Sequence, residues 1–209
     1  MRTQRLHAAG LALLAALILW TVIFVLRPFN FWLMMSLSTA ALAGASFIWG
    51  EPVSSIREWN LRHLLLGAAA AAALYAIFRG GHFLLQLVEQ WLPRRAEYIN
   101  AVYADRGVLP AALVGALLFF PIGFGEEIFW RGWIQKTLAG HLGGGRSYAI
   151  TAVLYTAVHL PTGNPVLILA ALVCGLFWGA VYWKTGSAVP ATVSHMIWDP
   201  LIFVIWPLA

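Results

Sequence analysis

Residues 109–131 read LPAALVGALLFFPIGFGEEIFWR, an apolar stretch that ends in the charged residues Glu126, Glu127 and Arg131. Such a stretch is long enough to cross a bilayer, which takes about 20 mostly apolar residues. A charge at bilayer depth costs at least ~2.5–3.5 kcal/mol on insertion scales and therefore suggests a functional site. The stretch predicts a membrane-spanning helix that carries a polar site.

The composition of the whole chain predicts the same surroundings. Of its 209 residues, 61% are hydrophobic and 10% are charged, whereas soluble domains carry about 25% charged residues. We therefore expect membrane lipid as the solvent.

The formal net charge of +5 fits basic residues in cytoplasmic loops, and no basic run alternates with aromatics in a way that would indicate nucleic-acid binding. The single cysteine, Cys174, lies in an apolar run and is expected to pack rather than react.

Six further apolar stretches are candidates for spanning helices. They are residues 7–26, 29–49, 62–79, 146–160, 165–183 and 187–208. The predicted fold is an all-α, polytopic helical bundle of about seven transmembrane helices with an active-site cavity inside the membrane. We expect one membrane domain, 1–209, in which residues 1–108 form amino-terminal spans and residues 109–209 form the catalytic core.

The stretch between residues 80 and 107 is mixed in character. Its apolar side chains recur at helical spacing in Leu84, Leu87, Val88 and Trp91. This pattern predicts an amphipathic helix that lies in the membrane interface.

If successive spans cross the membrane in alternating directions, the basic residues between them fall on two sides of the membrane. One side receives Arg2, Arg5, Arg57, Arg62, Lys136, Arg146 and Lys184, and the other receives Arg27, Arg79, Arg94, Arg95 and Arg106. This difference favours a cytoplasmic amino terminus.

Helix geometry separates the two adjacent glutamates. Neighbouring residues on a helix point about 100° apart, so Glu126 and Glu127 cannot both face one site. Glu127 and Arg131 are four residues apart with the acid first, which is the favourable order for an ion pair. Glu126 is left without a local partner. It is the candidate general base, with Glu127 and Arg131 in support.

His159 is expected at the same depth as Glu126. Glycines at 143–145 predict a turn between two antiparallel helices, and both residues lie about 14 positions, or roughly 21 Å, from it. Tyr155 precedes His159 by one turn and shares its face. The sequence then breaks at Pro161, and irregular backbone in a membrane is tolerated only where it lines a cavity or is buried in protein.

The last predicted span adds His195 and Asp199, which lie four residues apart on one face. Pro200 is expected to kink the helix beside them. Two histidines and two acids on lipid-embedded helices indicate a functional site. The structural alternative is an ion-pair network in which Asp199 only orients His195, while His195 bonds a backbone carbonyl.

Two chemistries use residues of these types. In the metal-free one, Glu126 and His159 activate a water that attacks a peptide carbonyl, and donors on the last helix stabilise the oxyanion. In the other, histidines bind zinc and a glutamate acts as base. The sequence has no H-E-x-x-H motif, and zinc ligands would have to come from three separate helices. The residues alone predict a buried acid and histidine site.

Three short motifs follow one another along the second half of the chain. They are Glu-Glu-Ile-Phe-Trp-Arg at 126–131, Tyr-Thr-Ala-Val-His at 155–159 and His-Met-Ile-Trp-Asp at 195–199. They resemble the E-E-x-x-x-R, F-x-x-x-H and H-x-x-x-N/D motifs of the CAAX protease and bacteriocin-processing family. These are the Abi proteins, relatives of the Ras-converting CAAX prenyl endopeptidase, and the resemblance covers roughly residues 115–199.

The resemblance implies a glutamic-type intramembrane endopeptidase that needs no cofactor. Its substrate would be a membrane-anchored or lipidated protein or peptide, cleaved near one end, and its location the inner or plasma membrane of a prokaryote. By the same resemblance, Glu126 is the base, His159 its partner on the water, and His195 and Asp199 occupy the oxyanion positions. Tyr155 stands where the family has phenylalanine. Asp199 replaces an asparagine, and an ionised aspartate cannot donate to an oxyanion.

Two alternatives remain beside this prediction. A non-catalytic membrane protein, such as an immunity or scaffold factor, would keep the polar cluster for helix packing. A zinc-dependent membrane protease would use the histidines as ligands.

Overall fold

The computed structural model describes residues 2–50, 58–87 and 89–208, and all regular secondary structure in them is helical. The eight helices are α1 (Arg2–Thr21, continued by π-helical turns over Val22–Leu26), α2 (Phe31–Trp49), α3 (Leu61–Leu87), α4 (Arg95–Tyr103), α5 (Ala111–Leu142), α6 (Gly144–Ala157), α7 (Pro165–Thr185) and α8 (Val189–Ile205). The predicted all-α fold class is confirmed.

Five of these helices are long and apolar enough to cross a membrane, namely α1, α2, α3, α5 and α7. The chain is thus a multi-pass integral membrane protein. α8 is apolar but shorter, and α6 has 14 residues, which at 1.5 Å per residue reach only about 21 Å. The predicted number of about seven spans therefore stays a prediction, because two of the candidates form short helices.

α5 continues beyond the span that the apolar pattern marked. It carries on past Arg131 to Leu142 and ends at Gly143, whose φ of 81° makes the turn into α6. The predicted glycine turn is therefore confirmed. The helix is kinked at Pro121, where the preceding Phe120 has extended backbone (φ −152°, ψ 126°), because proline disfavours helical geometry in the residue before it. The kink lies about one and a half turns before Glu126 and changes the direction of the helical segment that carries this residue.

The stretch after residue 79 differs from the prediction. α3 runs through Gly80 and Gly81 to Leu87, and only then do a short 3-10 turn and α4 follow. Glycine costs about 1 kcal/mol in a helix, but an unbroken helix satisfies every backbone hydrogen bond in lipid. Leu84 is exposed, as a lipid-facing side chain would be. The predicted boundaries of the interfacial helix, residues 80–107, are therefore wrong. Val88, which belongs to its predicted apolar face, lies outside the described residues.

α4 is fixed across one end of the bundle by polar contacts. The Tyr103 hydroxyl donates to the carbonyl of Ile202 at 3.1 Å and accepts from the Leu208 amide at 3.3 Å. Burial raises the pKa of Tyr103 above its usual range. At the other end of α4, the Asn164 side chain donates to the carbonyl of Tyr98 at 2.8 Å. These bonds join α4 to the start of α7 and the end of α8.

The basic residues in the described part of the chain favour one orientation by a single residue. Six lie on one predicted side, namely Arg2, Arg5, Arg62, Lys136, Arg146 and Lys184, and five lie on the other, namely Arg27, Arg79, Arg94, Arg95 and Arg106. Arg57 lies outside the described residues. A cytoplasmic amino terminus stays a prediction.

Glycines allow the closest approaches between helices. A Cβ at Gly67 of α3 would lie 2.5 Å from the Val193 side chain of α8. In α5, a Cβ at Gly123 would lie 3.1 Å from the backbone of Met196 in α8, and one at Gly125 would lie 3.0 Å from the backbone of Thr39 in α2. Small residues are the usual means of close packing between membrane helices. The two α5 glycines bring the glutamates that follow them between α2 and α8.

Gly67→Ala should destabilise the protein, because the added methyl group overlaps Val193 and overpacking typically costs ~1–3 kcal/mol. The melting temperature of the purified protein in detergent should fall. Gly80→Ala is the matched control on the same helix, since no atom lies within 4 Å of a Cβ there. It should leave the melting temperature unchanged or raise it. Equal effects of the two changes would contradict the close contact between α3 and α8.

Candidate active site

Glu126 and Glu127 are both buried and face different surroundings. Glu126 lines a cavity, and its Oε2 accepts a hydrogen bond from the Tyr155 hydroxyl at 3.1 Å. Glu127 is fully buried, and its Oε1 accepts from Arg131 at 2.8 Å and from Nδ1 of His195 at 2.9 Å. Both the divergence of the glutamates and the ion pair with Arg131 are confirmed.

Arg131 also ties α5 to α7. Its Nη2 donates to the carbonyl of Gly175 at 3.2 Å, and its guanidinium lies 5.1 Å from the Tyr155 ring and 5.8 Å from the Trp178 ring. Distances below about 6 Å allow cation–π attraction. The charge of Arg131 is therefore compensated by a carboxylate, a carbonyl and two aromatic faces. Sequence reasoning found only the carboxylate.

One turn further along α5, Gln135 repeats this contact with α7. Its side-chain amide donates to the carbonyl of Gly179 at 3.0 Å. A Cβ at Gly179 would lie 2.9 Å from the Tyr148 ring, and one at Gly175 would lie 3.2 Å from the carbonyl oxygen of Ala152. Glycine at both positions thus lets α6 pack closely on α7. The Gly-x-x-x-Gly spacing at 175–179 is the sequence signal that would have predicted this interface.

His195 lies between two carboxylates. Its Nδ1 is 2.9 Å from Glu127 Oε1, its Nε2 is 3.3 Å from Asp199 Oδ2, and its ring stacks on Trp178 with centroids 3.8 Å apart. Nδ1 is thus hydrogen-bonded to Glu127, and Nε2 is within ion-pair distance of Asp199. The backbone-carbonyl bond of the structural alternative is wrong for this residue, whereas the contact between Asp199 and His195 is observed. The contact with Glu127 was not predicted, because nothing local in the sequence links residues 68 positions apart.

His159 follows the end of α6 and turns its ring toward α1. Its Nδ1 lies 2.9 Å from the carbonyl of Tyr155. A carbonyl only accepts, so Nδ1 carries the proton and the neutral ring keeps a lone pair on Nε2. The ring packs edge-on against Trp20 at 6.5 Å and Phe24 at 5.8 Å. The sequence predicted α1 only as an amino-terminal span, and its contact with the site was missed.

A cavity of about 770 Å³ joins these residues. Of the predicted site residues, five line it: Glu126, Tyr155, His159, His195 and Asp199. Most of the remaining wall is apolar and comes from α1, α2, α3, α4, α5, α7 and α8. Glu127 and Arg131 are fully buried, and neither is among the described residues that line the cavity. The site thus has a polar layer at the cavity and a charged layer behind it.

The donor arrangement offers no evident place for a metal. Within the described residues, no three His, Cys, Asp or Glu side chains are grouped so that they could hold an ion. Zinc in proteins takes three or four such ligands. Both nitrogens of His195 already face carboxylates. The donors in this part of the chain do not fit the zinc alternative, and the absence of a cofactor stays a prediction.

Arg131→Ala should lower the melting temperature and the yield more than Glu126→Gln does. It leaves Glu127 buried without its arginine and Gly175 without a donor, and removing one partner of a buried ion pair typically costs ~3–5 kcal/mol. The double change Glu127→Gln with Arg131→Met should recover part of that stability, since neither charge remains. An Arg131→Ala protein of unchanged melting temperature that has lost only turnover would show instead that Arg131 acts on the substrate.

Comparison with known protein families matched the segment that carries these motifs. Residues 107–201, less than half of the chain, match the type II CAAX prenyl endopeptidase Rce1-like family. The matched segment contains α5, α6, α7 and most of α8, and with them all three motifs. Searches of curated proteins and of solved structures gave no match. Residues 107–201 are therefore similar to the Rce1-like family of type II CAAX prenyl endopeptidases, which is consistent with the predicted resemblance.

Proposed function

We propose that the chain is a glutamic-type intramembrane endopeptidase that cleaves a membrane-anchored or lipidated substrate near its end. The match of residues 107–201 to the Rce1-like family supports a CAAX-type membrane protease. The observation that carries the finer proposal is the placement of Glu126 and His159 on one largely apolar cavity. Each presents an acceptor there, and neither acceptor has a hydrogen-bond partner among the described residues: Oε1 of Glu126 and Nε2 of His159.

These two acceptors are suited to activate one water. In the proposed reaction the water oxygen attacks the peptide carbonyl while Glu126 takes its proton, and His159 orients the water through Nε2. The carbonyl becomes a tetrahedral oxyanion. When the C–N bond breaks, the proton held by Glu126 passes to the leaving amine. Water is thus added across the peptide bond, and no other reactant is consumed.

His195 is the proposed donor to the oxyanion. His195 lines the cavity, and its Nε2 is 3.3 Å from Asp199 Oδ2. In the proposed reaction the Nε2–H is shared between Asp199 and the oxyanion as the oxyanion forms, since a fixed donor stabilises developing negative charge well. Asp199, when ionised, accepts and does not donate, so we assign it the orientation of His195. Glu127 holds the other nitrogen of the ring and is a positioning residue, itself fixed by Arg131.

The cavity wall indicates the substrate class. Its volume of about 770 Å³ lies within the ~300–1,000 Å³ of small-molecule sites, and its lining is mostly apolar. Such a wall suits a lipid group or an apolar tail rather than a polar peptide. We therefore propose a prenylated or otherwise lipid-anchored carboxy-terminal tail as the substrate.

Glu126→Gln should abolish cleavage of a farnesylated peptide in detergent. It keeps the size of the side chain and an acceptor for the Tyr155 hydroxyl, while a general base contributes typically 10²–10⁴-fold to the rate. The melting temperature should not fall. Tyr155→Phe is the matched control, because it removes only the hydroxyl on Glu126 and restores the family's phenylalanine; it should keep the rate within about tenfold. Cleavage by Glu126→Gln at the wild-type rate would refute the proposal.

Activity in detergent should survive exhaustive chelation. The proposed water activation uses only a carboxylate and an imidazole, so removal of divalent metal ions should leave the rate unchanged. Elemental analysis of the purified protein should find zinc well below one ion per chain. Stoichiometric zinc that is lost together with activity, and restored with it, would favour the metalloprotease alternative.

A further inference from the structure

Trp178 of α7 covers one face of the His195 ring. The two rings are nearly parallel, with an interplanar angle of 19° and centroids 3.8 Å apart, which is van der Waals contact between ring faces. Trp178 is 1% exposed, yet it lines the cavity together with His195. A buried tryptophan is most often a packing residue. This one, however, touches the side chain that is the proposed donor to the oxyanion.

The other contacts of His195 hold one end of its ring more firmly than the other. Nδ1 is bonded to Glu127 at 2.9 Å. Nε2 is 3.3 Å from Asp199, beyond the ~2.7–2.9 Å that is usual for a charge-assisted bond. The ring also turns easily about its Cβ–Cγ bond, because torsions of this kind have broad minima. A ring anchored only at Nδ1 could therefore turn Nε2 away from the oxyanion, and a fixed flat surface against one face prevents that rotation.

The indole of Trp178 is itself held in place. Its Nε1–H donates to the Ser194 hydroxyl at 3.0 Å, and Ser194 has no exposed surface. The Trp198 ring meets the indole edge-on at 5.7 Å. Ser194 directly precedes His195 in α8, so the hydrogen bond joins Trp178 to the helix that carries the ring it covers. The indole of α7 and the imidazole of α8 therefore keep one relative orientation.

We propose that Trp178 is a positioning residue of the reaction, which fixes the plane of the His195 ring so that Nε2 meets the developing oxyanion. This inference rests on the proposed function for the role of His195. Glu127 anchors one nitrogen of the ring, Trp178 sets its plane, and Ser194 holds Trp178. Displacement of a catalytic group by about 1 Å can lower a rate on the order of 100-fold, so loss of the flat contact should be visible in turnover.

Trp178→Leu and Trp178→Phe form the test pair. Both shrink the side chain and remove the bond to Ser194, but phenylalanine keeps a flat face beside His195. With a farnesylated peptide in detergent, Trp178→Leu should lower kcat about 10- to 100-fold and change KM less than about threefold, as expected for an interaction made in the transition state. Trp178→Phe should keep kcat within about fivefold of wild type. Equal kcat values for the two variants, or a change confined to KM, would overturn the inference.

Trp183→Leu is the matched control on the same helix. Trp183 also stacks on a ring, that of Tyr148, with an interplanar angle of 12°, but it is not among the described residues that line the cavity. The change should leave kcat unchanged. A fall in kcat equal to that of Trp178→Leu would show that loss of either α7 tryptophan lowers turnover through packing, and the inference would be wrong.

Ser194→Ala provides the test if Trp178→Leu does not fold. It removes one hydroxyl and leaves the indole without the partner that orients it. We expect kcat to fall about two- to fivefold at unchanged KM, the scale of one neutral hydrogen bond. A wild-type kcat in Ser194→Ala would then count against the role of Trp178.

A proton signal of His195 separates this inference from the proposed function. The Glu127 carboxylate is paired with Arg131 and only accepts, so Nδ1 carries a proton. In nitrogen-15-labelled protein this proton should give a low-field resonance that His195→Gln lacks. Trp178→Leu should broaden or abolish the resonance, because the ring is no longer held, and Trp178→Phe should keep it.

The two results together distinguish the failures. Loss of the resonance in Trp178→Leu, with no cleavage by the wild-type chain, would contradict the proposed function and keep Trp178 as the residue that orders the ring. Cleavage by the wild-type chain, with a resonance that Trp178→Leu leaves unchanged, would keep the proposed function and refute the role of Trp178.

Discussion

Glu127 accepts hydrogen bonds from Arg131 on its own helix and from His195 on α8, and Arg131 reaches on to a carbonyl of α7. This fully buried carboxylate therefore connects α5 with α8 directly and, through Arg131, with α7. Burying charges is costly, and a pair repays the cost only with good geometry and further hydrogen bonds. Such a network contributes specificity more than stability, since α5, α7 and α8 satisfy it in one register only.

The network also explains why Glu126 is left to the cavity. The 100° step between neighbouring helix residues turns one glutamate toward α7 and α8 and the other toward the open space. Because Glu127 engages both Arg131 and His195, the hydroxyl of Tyr155 is the one hydrogen-bond partner of the Glu126 side chain among the described residues. With a single glutamate, one carboxylate would have to both pair with Arg131 and face the cavity. Two adjacent glutamates supply a separate carboxylate for each role.

Local features of the site could be predicted from the sequence, and long-range ones could not. Spacing of four residues predicted the contact of Glu127 with Arg131, and glycines predicted the turn after α5, because both depend on helix geometry alone. The contact of His195 with Glu127 depends on how α8 docks, which no local pattern encodes. The same is true of Trp20 and Phe24, whose contact with His159 brings α1 into the site. The length of α3 was missed because lipid favours unbroken helices even through two glycines.

An immunity or scaffold factor would need the charged layer behind the cavity but not the polar layer that lines the cavity. Glu127, Arg131 and His195 hold helices together, and a role in packing accounts for each of them. It does not account for Glu126, which bonds no other helix except through one hydroxyl and leaves an oxygen without a partner among the described residues. Nor does it account for a histidine whose unprotonated nitrogen has no partner in the same part of the chain. Atoms without partners also occur in the charged layer, at Oε2 of Glu127 and Nε of Arg131. What separates the two layers is therefore that Glu126 and His159 line the cavity, which a water or a substrate can occupy.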